Sequence, residues 1–425
     1  ATGVGYNALA ELTSGARNTA VGMNSADAIT SGSYNVALGG HSLGAATTAL
    51  NNTAIGYNAM ADVKAAVAVD GCVAVGWGAL KGNASNTTGI NGTVAIGYNA
   101  LAALTTGDGN TAVGYQAGMG IIGAQYNTLL GTIAGTALTS GYSNTLLGWY
   151  AGRSLTQAYH NIAIGHLALG ASSNTASHYN IAIGSNALDA IAALESTNNV
   201  AIGYNAGTDL NNAADNTLVG HQVGANITDG NSNTCIGSAA GDVITSGTTH
   251  TIIGAAADPS GATNVNQIVI GYGTTGVGDN TATIGAASTT DVYMSQDNGA
   301  KVWCTNIDSS SDARIKKNVE KVNIGLDFVN ELNPVTFNMR KAEDWDEDLK
   351  KEQTWYKKNT TPRDIDDEEN KIGFIAQEVK ASLDKYNVDC DIHTVEEHSK
   401  IEAIDYSRFV VPLVKAVQEL SQQVE

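Results

Sequence analysis

The chain has 425 residues and a net charge of -19, and neither charge nor glycine is spread evenly along it. Residues 1 to 300 hold 4 Lys and Arg against 15 Asp and Glu, together with 46 of the 48 glycines, and the rest of the chain holds 18 and 26. Neither part has the cation excess that displaces counterions from nucleic acid or draws a chain to an anionic membrane. No apolar run approaches the roughly 18 to 20 residues of a membrane span. Cys72, Cys235, Cys304 and Cys390 form no CxxC pair, so neither a disulfide framework nor a metal site is expected, and no cofactor is implied. No charged-then-apolar leader opens the chain, and Ala1 in place of Met leaves room for an attachment region ahead of it.

A five-residue run typified by Asn18-Thr19-Ala20-Val21-Gly22 recurs with its glycine at 5, 22, 39, 56, 76, 97, 114, 131, 148, 165, 184, 203, 220, 237, 254, 271 and 285. That makes 17 copies, and 11 of the 16 spacings are 17 residues. The residue before the glycine is always Val, Ile or Leu, two residues earlier stands Thr, Val or Ile in 16 copies, and the position between is often Ala. This alternation predicts a strand with its β-branched face buried and its other face restricted to small groups, ended by the glycine. A second turn follows as Thr30-Ser31-Gly32, Thr139-Ser140-Gly141 or Thr245-Ser246-Gly247, behind an apolar anchor such as Ile29, Leu138 or Ile244.

Each copy therefore reads as one coil of a parallel β-roll or β-solenoid over residues 1–287. At about 4.8 Å per coil, 17 coils make a rod on the order of 80 Å long. A 17-residue coil encloses little core, which leads us to expect the buried faces to meet those of other chains in a homotrimer. The asparagine four residues before the glycine, present in 11 copies, suggests a turn-closing side chain or a buried amide ladder. The residue after the glycine is aromatic at Tyr6, Tyr57, Trp77, Tyr98, Tyr115, Trp149, Tyr204 and Tyr272. This is either a row stacked between coils or chains, or a platform for sugar faces at Tyr57, Trp77, Tyr98, Tyr115, Trp149 and Tyr204. His41, His166 and His221 read as surface residues. Copies enlarged near 62–72, 81–93, 171–179 and 189–198 should carry loops, and loops carry recognition.

The runs NVALGGHSLGA, NTAIGYNAM, TVAIGYNAL and NVAIGYNAG resemble the head repeats of trimeric autotransporter adhesins. That resemblance implies a left-handed parallel β-roll in a homotrimer. The coils here are longer than the usual adhesin-head repeat.

Residues 288–310 suggest one or two closing strands and then an exposed polar linker, Asp308-Ser309-Ser310. Beyond it, charge is dense and the repeat stops. Residues 323–332 predict a helix stopped by Asn333-Pro334, residues 335–339 a strand, and residues 372–379 a strand running into a helix. Residues 341–370 are a charged excursion. In the tail, Leu413, Val417, Leu420 and Val424 fall at coiled-coil spacing over two heptads, too few to stand without partner chains.

The blocks SDARIKKNV, LNPVTFNM, IGFIAQEV and DYSRFVVPLVKAVQEL, in this order over residues 311–425, closely resemble the endosialidase-type intramolecular chaperone domain that caps phage tail fibres and spikes. The resemblance implies an α+β domain that trimerises, aligns the preceding β-structure and then cuts itself off. Carried onto this chain, it makes Ser311 the nucleophile and Lys316 its base, with the cut between Ser310 and Ser311 and Asp312, Arg314 and Asn318 supporting the motif. A serine attacks an amide only once a base takes its proton, and lysine serves only when kept neutral. Without the later blocks, Lys316 and Lys317 would read as ordinary surface lysines and Ser309 to Ser311 as a plain linker.

The implied whole is a virion tail fibre: a trimeric rod that binds a host glycan or protein receptor and joins other tail proteins through a preceding region. Cellular trimeric adhesin and glycan-degrading spike are the rival readings. The spike is disfavoured because the repeat's few acidic residues form no recurring pair.

Overall fold

The computed structural model describes residues 1–63, 69–82, 89–170, 177–190, 196–289, 292, 316–338, 340, 370–395 and 402–424. It divides into two compact units, Ala1–Val292 and Tyr293–Glu425. The enlarged parts of the four long copies fall largely outside the described residues, as do most of the connector and of the charged excursion.

The first unit is a parallel β-solenoid. Seventeen three-residue strands, β1 (Thr2–Val4) through β17 (Ala282–Ile284), form one sheet in which each strand pairs with that of the next coil. Thr111, Ala112 and Val113 lie opposite Thr128, Leu129 and Leu130, and the same register holds where copies are enlarged, as Val73 opposite Val94 shows.

The inward and outward faces are the reverse of the sequence expectation. The small middle residue points into the coil, so that Ala20, Ala37, Ala54 and Ala163 are buried. The β-branched and Leu residues on either side point out, with Leu130 45% exposed, Leu147 38% and Ile236 40%. The inner strand position is Ala in most coils; Leu129 and Leu146 fit there where Gly118, Gly135 and Gly152 stand against them, and Leu218, Ile252 and Val269 are buried at the same position. Opposite the strands, Ile29, Leu104, Leu138, Leu155, Leu210 and Ile244 fill the interior. Each coil thus closes around its own core, which corrects the expectation that buried faces must be shared between chains.

The polar half of the interior is an amide ladder. All 11 repeat asparagines are buried. Asn127 Oδ1 accepts from both the backbone N–H and the Nδ2 of Asn144, at 3.0 and 2.9 Å, while Asn127 Nδ2 donates to the Gly141 carbonyl at 3.0 Å. One side chain satisfies a turn carbonyl and a backbone amide that burial would otherwise leave unpaired, at about 1–3 kcal/mol each.

At the C-terminal end of the ladder His250 takes the asparagine position. Its Nδ1 accepts from the Gln267 N–H at 3.2 Å and its Nε2 bonds the Asn264 carbonyl at 2.8 Å, an arrangement that requires the neutral ring with the proton on Nε2. Burial holds its pKa below the usual 6.5, against smaller opposing effects from the Asn264 carbonyl and Asp279. A histidine whose folded pKa is depressed contributes stability above its unfolded pKa, and that contribution falls away as pH drops through about 6.5. His250→Asn should therefore show a smaller drop in melting temperature between pH 7.5 and 5.5 than the wild type. Equal drops would show that His250 is not an acid-sensitive rung.

In the second unit, α1 (Leu326–Glu331), the antiparallel pair β18 (Val335–Phe337) and β19 (Lys371–Gly373), and α2 (Ala376–Lys385) follow the predicted order. A further antiparallel pair, β20 (His393–Val395) and β21 (Glu402–Ile404), was not foreseen. A 3-10 turn at Tyr406–Phe409, capped by the Asp405 carboxylate on the Ser407 N–H at 2.9 Å, leads into α3 (Val410–Val424). Pro412 sits in the first turn of α3, where its missing N–H costs no helical hydrogen bond. Ile324, Phe328, Val379, Leu383, Ile392 and Phe409 make the core of this unit.

Candidate functional site

Three sets of residues carry the functional expectations. Of the cleavage motif, Ser310, Ser311, Asp312 and Arg314 lie outside the described residues. Lys316 and Asn318 are described and exposed, and Asn318 adopts the left-handed conformation (φ 53°) that asparagine tolerates in a turn. A lysine acting as a base must be desolvated or crowded by charge, and Lys316 is not buried within a single chain.

Downstream of the motif, Ile324 anchors the segment in the core and α1 follows at once. The first N–H of α1, on Leu326, donates to Glu419 of α3 at 2.7 Å, and Lys415 Nζ pairs with the same carboxylate at 3.1 Å. The Leu326 amide, then Lys415, hold the Glu419 carboxyl below the usual carboxylate range. A Cβ at Gly325 would lie 2.3 Å from a Glu419 oxygen, so a side chain there would push the carboxylate off the Leu326 amide. The last helix is thereby tied to the first, 93 residues apart. Helix α3 has two faces: Pro412, Ala416 and Glu419 turn to the domain, while Leu413, Val417, Leu420 and Val424, the expected coiled-coil seam, are exposed together with Val410, Val411 and Val414. An apolar stripe of this kind is what a helix offers to partner chains.

The aromatic row after the repeat glycine is a ladder in the region where it is unbroken. Tyr57, Trp77, Tyr98 and Tyr115 stack in sequence at centroid distances of 6.4, 5.0 and 5.4 Å, and all four are exposed in the single chain. Their faces are paired with one another, which leaves mainly ring edges for any ligand approaching from the side. His166 and His221 occupy the same row, His166 beside Trp149 at 4.9 Å and His221 stacked on Tyr204 at 5.4 Å. Both lie at the surface, as expected, and share one repeat position.

A second aromatic cluster was missed in the sequence. It stands just before the ladder asparagine, where Tyr142, Tyr159 and His178 form one row and His160 and Tyr179 an adjacent one. The rows meet nearly at right angles, Tyr142–His160 at 5.2 Å and 83°, Tyr159–Tyr179 at 5.5 Å and 88°. The available signal was an aromatic residue directly before a repeat asparagine, at Tyr34, Tyr126, His160 and Tyr179.

Among the acidic residues, the fold brings Asp242 and Asp258 together on neighbouring coils. Burial raises the Asp258 carboxyl first, and the Asp242 charge adds to it. No group of three or more His, Cys, Asp or Glu side chains that could hold a metal occurs among the described residues. No described helix is long and apolar enough to cross a membrane. A depression of about 160 Å³ lined by Glu331, Asn333, Phe374 and Glu378 is smaller than the roughly 300 Å³ at which small-molecule sites begin.

Residues 311–387 match the family described as chaperone of endosialidase. No curated protein matches the chain.

Proposed function

Taking the endosialidase-type chaperone domain that begins at residue 311 as the premise, we propose that this chain is the distal part of a phage tail fibre, a homotrimeric rod delivered by a self-removing assembly domain. The observation that carries this reading is the succession of a seventeen-coil parallel solenoid and a segment matching the chaperone family, in that order on one chain. A solenoid on its own fits many repeat proteins. A solenoid followed by this domain fits a tail fibre or spike.

The physical need for such a domain lies in register. The outer faces of the coils are nearly equivalent, so three rods can pair one coil out of step at small enthalpic cost. A trimeric domain fused to one end fixes the register by raising the local concentration of the last coils. The exposed stripe of α3 suits that association.

For release, Ser311 Oγ attacks the carbonyl carbon of Ser310. Lys316 takes the hydroxyl proton and passes it to the Ser311 nitrogen as the C–N bond breaks. Water then hydrolyses the resulting ester, leaving a carboxylate at Ser310 and a free amine at Ser311. Loss of the aligning domain makes assembly irreversible, and the mature rod remains in the virion to engage a host-surface glycan or protein.

The test is a denaturing gel of wild type beside Ser311→Ala. The expected result is that wild type loses a fragment of roughly 115 residues, the span of residues 311–425, while Ser311→Ala stays intact. An intact wild-type band would make the domain a permanent cap.

A further inference from the structure

The amide ladder is interrupted at one place inside the rod. From the second copy to the fourteenth, the residue four before the repeat glycine is asparagine except in the fifth and sixth, where it is Cys72 and Thr93. Just before the break, Asn52 behaves as the other rungs do: its Oδ1 accepts the Cys72 N–H and its Nδ2 donates to the Val69 carbonyl, both at 2.8 Å. Cys72 has only a thiol with which to continue, and its Sγ meets the Ile90 carbonyl at 3.0 Å as a weak donor. Thr93 Oγ1 is buried and has no hydrogen-bond partner among the described residues. It therefore does not take the Asn110 N–H, as Asn110 Oδ1 takes that of Asn127 at 3.1 Å.

A second defect falls on the same coils. Five residues before the repeat glycine the backbone turns through the left-handed region, and side chains there can join one coil to the next. Arg17 reaches the Tyr34 hydroxyl at 2.8 Å in this way, and Asn198 the Asp215 carboxylate at 3.1 Å. In the fifth, sixth and seventh copies the position is Gly71, Gly92 and Gly109, at φ 70, 64 and 67°, and a Cβ at Gly71 or Gly92 would meet nothing within 4 Å. Glycine adds no contact here and gains the most freedom when the chain opens. The side-chain bonds that remain on this corner lie at the surface: Asn91 Oδ1 accepts the Asp70 N–H at 2.9 Å and Asp108 Oδ1 the Asn91 N–H at 2.7 Å. Enlargement of a copy does not by itself break the ladder. The copies enlarged near 171–179 and 189–198 keep their rungs, with Asn180 Oδ1 accepting the Asn199 N–H at 3.0 Å.

We propose that the fifth and sixth coils are a yielding point built into the rod, where the chain opens locally before any other coil between its ends. Each coil touches only its neighbours, so local opening begins where the interface between neighbours is weakest. A buried hydroxyl without a partner, a thiol in place of an amide and a corner without side chains all weaken the same two interfaces. Near the C-terminal end of the ladder, by contrast, His250 and Gln267 replace asparagine and still hold their bonds: the His250 N–H donates to Asn233 Oδ1 at 3.0 Å, and Gln267 Oε1 accepts the Ser260 N–H at 3.1 Å. An opening confined to two coils lets a rod give and reclose without unzipping along its length. The yielding point belongs to the solenoid alone and stands whether or not the rod is a tail fibre.

Two buried cysteines report on opening at the break and away from it. Cys72 stands at the break, and Cys235 lies two residues beyond the intact rung Asn233, whose Nδ2 donates to the Gly247 carbonyl at 2.9 Å. Both side chains are fully buried, and burial pushes their thiols up to about 11 and about 12, so neither reacts while its coil is closed. In the full-length protein under native conditions, pulses of iodoacetamide followed by peptide mass spectrometry should find Cys72 labelled about a hundredfold faster than Cys235. Thr93→Asn restores a rung and should slow the labelling of Cys72 about tenfold. Asn233→Thr copies the defect and should speed the labelling of Cys235 by a similar factor while leaving that of Cys72 unchanged. Equal labelling of the two cysteines in the wild type would overturn the yielding point, and so would an unchanged Cys72 rate in a folded Thr93→Asn protein.

Discussion

Replacing Gly148 with alanine is expected to destabilise the rod by about 3 kcal/mol or more, the cost of a strained backbone combined with a contact that cannot relax. Gly148 ends its strand at φ 143°, a region essentially reserved for glycine. A Cβ there would lie 2.4 Å from the carbonyl oxygen of Gly165, and Gly165 is in turn held by Gly184 in the same way. The obstacle is backbone within a continuous column, so no side-chain rearrangement relieves it. Gly273 provides the comparison: it is left-handed at φ 58°, and a Cβ on it would meet nothing within 4 Å. Gly273→Ala should cost only about 1–2 kcal/mol, the price of the left-handed conformation alone. Urea unfolding followed by circular dichroism separates the two cases. Equal costs would mean that backbone conformation, and not the approach of the next coil, fixes the repeat glycine. Since each coil touches only its neighbours, damage at Gly148 should also expose the chain to protease first around that coil.

Much of this fold is legible in the sequence because a solenoid writes its geometry as a period. The glycine positions and the alternation before them give all 17 strands and their order. The repeat asparagine gives the buried ladder, since few other side chains can accept from one coil and donate to a turn at once. The orientation of the strand is harder to read, because alternation places Ala and the β-branched residues on opposite faces without saying which face is inside. Burial of the β-branched face is the usual outcome; here the middle residue goes in, whether it is small, as Ala20 is, or large, as Leu129 and Ile252 are.

In the C-terminal unit, α1, β18 and β19 follow from local pattern, whereas the capping of Leu326 by Glu419 joins residues 93 apart and leaves no local trace. The same holds for the second aromatic cluster. It exists only because Tyr142, Tyr159 and His178, spaced 17 and 19 residues apart, come to lie one coil above another. The Ser311 and Lys316 assignment rests on motif resemblance, and Lys316 shows why such a site is hard to derive from one chain: its exposure gives no sign of the desolvation a base requires.

The orientation of the strands leads to the second large effect. With the middle residue inside, every coil places a Val, Ile or Leu at the last strand position on the outer face, from Val4 to Ile284 without interruption. These form an apolar column on the order of 80 Å long, whereas the surfaces of monomeric proteins rarely carry contiguous apolar patches beyond a few hundred Å². A charge at its middle should therefore act on association and not on the coil. In an Ile183→Lys, Ile202→Lys chain the inner residues Ala182 and Ala201 are untouched. The strand signal in circular dichroism should accordingly be unchanged. Where three rods meet on this face, however, each substitution brings three ammonium groups together out of water, at several kcal/mol per ion. Once the C-terminal domain has been removed after assembly, sedimentation velocity should find the double variant as monomers at micromolar concentration and the wild type as trimers. Asn212→Lys, an exposed change on the second turn, should leave the trimer intact. A stable trimer of the double variant would place the seam on another face and leave the apolar column to be covered by something other than this chain.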